Sequence, residues 1–324
     1  MENLKTLVGS LCVFGFEGKE VTPWIRELIQ DWELGGVILF KRNIESKEQV
    51  AKLNRELKDL AKNLSLLVSV DHEGGRVFRL PPPFTTIPPA RQVALEGKAY
   101  ETGLLMGREL REAGFNLNFA PVLDVDTNPK NPIIGDRSFG PDPEEVSLCA
   151  IDLVRGLREE EVIPCGKHFP GHGDTSLDSH LELPVVDHPL ARLEEVELVP
   201  FRAAVRDGIE MLMTAHVLYP RIDSEFPATL SGKILTGLLR ESMAYDGVVI
   251  SDDLLMKAVS EKFGVPDAAR LFLEAGGDLV LVCKDEEAQA RTLDHLMKAV
   301  VDGKISKETL QESRRRVERL KKAL

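Results

Sequence analysis

Eight short apolar runs, each ending at a polar or glycine residue, constrain this chain more than any other feature. They cover residues 11–16, 36–40, 66–71, 115–124, 165–169, 211–216, 247–252 and 278–283. Their nearly continuous apolar character suits strands covered on both faces, as in a parallel sheet. Helical patterns lie between them. Ser46 and Gln49 form a capping-box signature ahead of Val50, Leu53, Leu57 and Leu60 at helical spacing. Asp142-Pro143-Glu144-Glu145 supplies a cap, a first-turn proline and an acid, and Val146, Ala150, Leu153 and Leu157 then share one face. Over residues 307–324, Leu310, Val317, Leu320 and Leu324 line one side, and the arginines and lysines around them predict a solvated face.

Strands alternating with helices predict an α/β fold, a single-domain (β/α)8 TIM-type barrel over residues 1–324. A doubly wound open sheet is the rival, but no Gly-x-Gly-x-x-Gly follows an early run. The barrel is favoured because Asp71, Asp124, Lys167-His168, His216 and Asp252 all fall at the carboxyl ends of runs. A barrel gathers those ends at one mouth, where its active site lies. Pro81-Pro82-Pro83 and Pro88-Pro89 predict a stiff loop within a long third β-to-α connection.

Charge narrows the choice of partner. Forty-one basic residues stand against 53 acidic ones, a net of −12 with no basic block. That argues against nucleic acid or an anionic membrane surface. Cys12, Cys149, Cys165 and Cys283 are scattered singly, so neither a zinc knuckle nor a disulfide framework is expected and a reducing compartment fits. Lys5 followed by residues 7–16 has the look of a signal core. However, Glu2 precedes it, no small-residue cleavage site follows, and Phe14-Gly15-Phe16 reads as a strand end, so a cytoplasmic protein is expected.

Residues 167–180, Lys167-His168-Phe169-Pro170-Gly171-His172-Gly173-Asp174 running on to Asp178-Ser179-His180, concentrate ionisable groups on a glycine-bearing loop after a strand. A carboxylate two residues from an imidazole can hold its tautomer and raise its basicity, which makes Asp178 and His180 a proton-transfer pair. As an isolated pattern the plainer reading is a loop hydrogen bond, and placement on a glycine-bearing loop after Lys167 and His168 moves the balance towards function. Asp252 and Asp253 close the run 247–251. A carboxylate where a buried strand emerges suits a nucleophile, whereas Asp253 ahead of Leu254 suits a helix cap. His168, His172 and His180 with Asp174 or Asp252 raise a metal reading, which the loop's glycines weaken because no helix fixes the spacing. His216 is either a pocket liner or a satisfied core histidine. In Asp71-His72-Glu73-Gly74-Gly75-Arg76-Val77-Phe78-Arg79 an acid at a strand end precedes glycines that let backbone approach a ligand. Arg79 and Arg137 are candidates for forked hydrogen bonds to polyol or amide oxygens, with surface ion pairs as the plainer reading.

Residues 167–180 resemble the signature of the bacterial β-N-acetylhexosaminidases of glycoside hydrolase family 3. The likeness extends to Asp71-His72-Glu73-Gly74-Gly75-Arg76-Val77, to Asn131-Pro132-Ile133-Ile134-Gly135-Asp136-Arg137-Ser138-Phe139 and to residues 247–256, in the expected order. The resemblance implies a barrel with Asp252 as nucleophile, His180 as general acid/base and Asp178 orienting it. It further implies that Asp71, Arg79, Arg137, Lys167 and His168 hold an N-acetylglucosamine ring, with no metal or other cofactor. The implied substrate is a small carbohydrate, an N-acetylglucosamine-containing muropeptide or chito-oligosaccharide, met by a cytoplasmic monomer that recycles cell-wall fragments. The rivals are a phosphorylase that passes the same glycosyl intermediate to phosphate, a metal-dependent barrel hydrolase, and a sugar-binding protein without turnover. The loop is expected to close over substrate.

Overall fold

The computed structural model describes residues 3–61, 65–176, 183–322 and 324. Eight parallel strands occur where the apolar runs fall: β1 (Cys12–Gly15), β2 (Gly36–Leu39), β3 (Leu67–Val70), β4 (Leu117–Asn118), β5 (Ile163–Phe169), β6 (Met211–Thr214), β7 (Val248–Ile250) and β8 (Val280–Val282). Hydrogen bonding runs β7-β6-β5-β4-β3-β2-β1-β8, and a bridge between Ile250 and Leu279 brings β7 back to β8. The sheet therefore closes into a (β/α)8 barrel, as expected. Each strand is followed by a helix on the outside, among them Lys47–Asp59, Pro143–Glu159 and Glu286–Val301. Strand residues are buried throughout, because helices cover one face and the packed barrel interior the other.

The run 115–124 yields the shortest strand. Pro121 has no N–H to give to the ladder, so regular pairing stops at Asn118. Contact with β5 continues through Cys165 N–H to Ala120 O (2.9 Å), Lys167 N–H to Pro121 O (3.1 Å) and Leu123 N–H to Lys167 O (2.6 Å). Those bonds carry the chain to Asp124 at the barrel mouth.

The helix signals hold with adjustments. Ser46 Oγ accepts from Gln49 N–H at 3.1 Å, but Gln49 reaches back to the N–H of Glu45, one residue before the cap. Asp142 accepts from Glu145 N–H at 2.9 Å. The C-terminal helix Lys307–Lys321 buries Leu310, Val317 and Leu320, whereas Leu324 lies past its end and is exposed. Its basic residues do not form a merely solvated face. Arg316 bonds to the fully buried Asp278 at 3.1 Å and to Asp246 at 3.2 Å, and Lys321 is buried, pushed down to about 8 by that burial. The run 7–16, weighed as a signal core, packs as a helix (Leu4–Gly9) and the barrel strand β1. Among the described residues no helix is long and apolar enough to cross a membrane.

Candidate active site

The carboxyl ends of the strands enclose a cavity of about 200 Å³. It is lined by Asp71 and Glu73 beyond β3, Lys167 and His168 on β5, Asp252 and Asp253 beyond β7, and Arg79 and Arg137 from the connecting loops. Phe40, Val77, Ile133, Met213, Met256 and Leu281 supply apolar wall. All six of the described residues assigned from sequence, Asp71, Arg79, Arg137, Lys167, His168 and Asp252, meet in this space. Asp178 and His180 lie outside the described residues.

An alternating chain of charges forms one wall. Lys167 Nζ lies 2.7 Å from Asp71 and 2.6 Å from Glu73, and Glu73 forks both oxygens onto the Arg137 guanidinium at 2.8 Å each. Burial pushes the Lys167 ammonium down, but the Asp71 and Glu73 carboxylates outweigh it and hold it above its ordinary value. Burial likewise pushes Glu73 up, and the Arg137 and Lys167 charges pull it far below the carboxylate range. Glu73 was not singled out from sequence. It also takes the fork that Arg137 was expected to offer a ligand, leaving Arg137 one further bond, to the Ile133 carbonyl at 3.2 Å. Arg79 differs: its buried Nε has no partner among the described residues, and its guanidinium sits 6.0 Å above the Phe40 ring.

Asp124 organises the next wall. It is fully buried, and Oδ2 lies 2.7 Å from His168 Nδ1. Oδ1 accepts the backbone N–H groups of His168 (3.2 Å) and His172 (2.6 Å). Burial raises its pKa, but the His168 ring, the larger of the two histidine effects, brings it below the ordinary value. A carboxylate on Nδ1 fixes the His168 ring and leaves Nε2 for the cavity. Lys167 and His168, joined by a cis peptide, both reach the cavity from adjacent positions. The sequence shows Asp124 only as a strand-end acid, without a role. A signal existed: it ends a run beside β5, whose polar end it was bound to face.

Asp252 is half-buried where β7 emerges. Burial raises its pKa, but His216, then His168, the Asp253 N–H and Lys167 outweigh it, so the carboxyl stays ionised. Asp253 is not a helix cap. Its Oδ1 accepts from Leu255 and Cys283 N–H at 3.1 Å each, tying the turn to β8, and the following helix begins only at Lys257. His216 is a satisfied core histidine, fully buried, and does not line the cavity.

The glycines of residues 71–79 serve the fold rather than a ligand. A Cβ on Gly74 would meet Pro88 O at 2.4 Å, and one on Gly75 would meet Pro89 at 2.8 Å, both at positive φ. They let the turn pack on the stiff proline loop. After β5, Asn131 holds the chain by donating to His172 O (2.8 Å) and Gly173 O (2.9 Å). Farther on, Val186 N–H bonds Leu218 O at 2.9 Å and Leu218 N–H bonds Pro184 O at 2.8 Å. Of the three histidines of the metal reading, the two described are engaged otherwise, His168 on Asp124 and His172 Nδ1 on Thr175, with Asp174 on His188 and Thr127; His180 lies outside the described residues. Among the described residues no three His, Cys, Asp or Glu side chains group to hold a metal.

A closed parallel barrel with ionised side chains crowded at its C-terminal mouth belongs to the barrel enzymes. Residues 5–320 match the glycosyl hydrolase family 3 N-terminal domain. The chain belongs to this family of glycosidases. It is 42% identical over 290 residues to a β-hexosaminidase of Methylococcus capsulatus, covering 88% of this chain and 86% of that one. It superposes with TM-score 0.97 at 44% identity on a family 3 β-N-acetylglucosaminidase from a Paenibacillus species, covering all of this chain but 63% of that longer one. A β-N-acetylhexosaminidase from Beutenbergia cavernae matches over 99% of both chains, with TM-score 0.93 and 29% identity.

Proposed function

We propose that the chain is a retaining β-N-acetylhexosaminidase that removes terminal β-linked N-acetylglucosamine, acting as one catalytic domain over residues 1–324. The observation that carries this is Asp252, a strand-end carboxylate held ionised on the wall of a cavity shared with Asp71, Arg79, Arg137, Lys167 and His168. The names of the matched relatives support the sugar. At about 200 Å³ the cavity is small beside the roughly 300–1,000 Å³ of pockets for drug-sized ligands, which favours one terminal ring over a chain.

In this reading the ionic wall and Arg79 bind the ring hydroxyls and acetamido group. Asp252 attacks the anomeric carbon while His180, polarised by Asp178, protonates the departing oxygen. A histidine donor adds no negative charge beside the nucleophile. Neutral His180 then takes a proton from water, whose oxygen displaces Asp252 with net retention. The natural substrate is a cytoplasmic muropeptide or chito-oligosaccharide fragment, processed by a monomer.

Steady-state rates on paired aryl β-N-acetylglucosaminide and aryl β-glucoside, each with and without phosphate, test this reading. Preference for the acetamido sugar, with free N-acetylglucosamine formed at a phosphate-independent rate, is expected. Preference for the glucoside would overturn the substrate, and formation of the sugar 1-phosphate would convert the assignment to a phosphorylase.

A further inference from the structure

The peptide around Asp252 is braced from both sides. Towards β8, Ser251 N–H bonds Leu279 O, Leu281 N–H bonds Ser251 Oγ and Leu254 N–H bonds Leu281 O, each at 3.0 Å. Towards β6 the brace is a side chain. Met213 pairs with Ile250, and three residues beyond each, past the ends of the two strands, come His216 and Asp253. There His216 Nε2 meets the Asp253 carbonyl at 3.0 Å. A carbonyl oxygen only accepts, so Nε2 carries a proton. Nδ1 faces Thr229 Oγ1 at 2.8 Å, and that hydroxyl also lies 2.9 Å from Ala215 O and 2.9 Å from Thr214 Oγ1. With the Thr229 proton directed to Ala215 O, Nδ1 must also donate and the ring is a cation. With it turned to Nδ1 the ring is neutral, and Ala215 O keeps the Thr229 N–H at 3.3 Å. Either protonation state is thus satisfied inside the core.

We infer that His216 is a positioning residue for Asp252: its Nε2–H fixes the peptide one residue beyond the carboxylate, and its ring serves as a balancing group for that carboxylate. The inference rests on the reading of Asp252 as nucleophile. Against the upward push of burial, His216 leads the groups that keep Asp252 ionised. Lys167 and His168 face Asp252 from β5, and Asp253 adjoins it in the chain. Across the cavity stand Asp71, Glu73 and Arg137, the two acids already committed to Lys167 and, for Glu73, to Arg137 as well. None of these replaces a ring on the β6 side.

The test compares His216→Ala and His216→Gln in the full chain, by pH profiles of kcat/KM on aryl β-N-acetylglucosaminide and by N-acetylglucosamine binding. The alanine variant should lose roughly 10- to 100-fold in kcat, as expected for a misplaced reacting group, with KM and product binding nearly unchanged. Asp252 must be ionised to react, so losing a group that holds it down moves the acid limb upward, by about one pH unit. The glutamine variant, whose amide can still donate to Asp253 O, should recover most of kcat and keep the shifted limb. If the alanine variant does not fold, the glutamine limb alone decides. Unshifted acid limbs in the folded variants would overturn the inference. Asp252→Asn assayed alongside separates the two readings, since its retained activity would remove the nucleophile itself.

Discussion

Glu73→Gln tests the ionic wall most severely, because the side chain keeps its shape and loses only its charge. In the folded chain Asp71, Lys167, Glu73 and Arg137 sum to zero; the variant leaves one uncompensated positive charge there. Lys167 and Glu73 are 2% and 5% exposed, so little solvent relieves the imbalance. Removing one partner from a buried pair costs about 3–5 kcal/mol. An unfolding entropy of roughly 2.1 cal/mol/K per residue over 324 residues is about 0.7 kcal/mol/K, so the midpoint should fall by about 4–7 °C. Differential scanning calorimetry of both proteins reads this directly. The pH dependence has a definite sign. The folded pKa of Glu73 is depressed, so its contribution is fully present above the unfolded value of 4.5 and declines as pH falls towards the folded one. The gap between wild type and variant should therefore be flat from neutrality to about pH 4.5 and narrow below it. KM should rise, because Lys167 and Arg137 lose the group that aims them. A midpoint within 1 °C of wild type, with unchanged KM, would refute the reasoning.

Two further outcomes follow from the site. His180→Ala should cost roughly 10²- to 10⁴-fold on substrates with poor leaving groups and far less on activated aryl glycosides; equal losses on both would argue for a structural role. Gly173→Ala should destabilise by about 1–3 kcal/mol and lower activity, since the new Cβ would lie 1.7 Å from Val125 O and displace the segment that delivers the His172 N–H to Asp124. An unchanged melting temperature would show that the segment yields freely.

The barrel was legible because each strand is covered on both faces and so reads as an unbroken apolar run, and because the acids at the run ends have only the mouth to occupy. Glu73 and Asp124 were missed because their partners are distant in sequence. Glu73 meets Arg137 64 positions away, and Asp124 meets His168 44 positions away. Local pattern shows an acid in each case but not the partner that commits it. The helix cap expected of Asp253 failed for a similar reason, as a distant N–H on Cys283 claims its carboxylate. The basic C-terminal helix misled because its partners Asp246 and Asp278, 70 and 38 positions back from Arg316, precede β7 and β8.

The central claim is that Asp252 bonds to the sugar. Incubation with a fluorinated N-acetylglucosaminide whose glycosyl-enzyme hydrolyses slowly, followed by proteolysis and peptide mass spectrometry, tests it most directly. One sugar mass on the peptide holding residues 247–256, localised by fragmentation to Asp252, is the predicted result. Attachment at Asp253 or at any other acid, or turnover with inverted product and no adduct, would contradict the account.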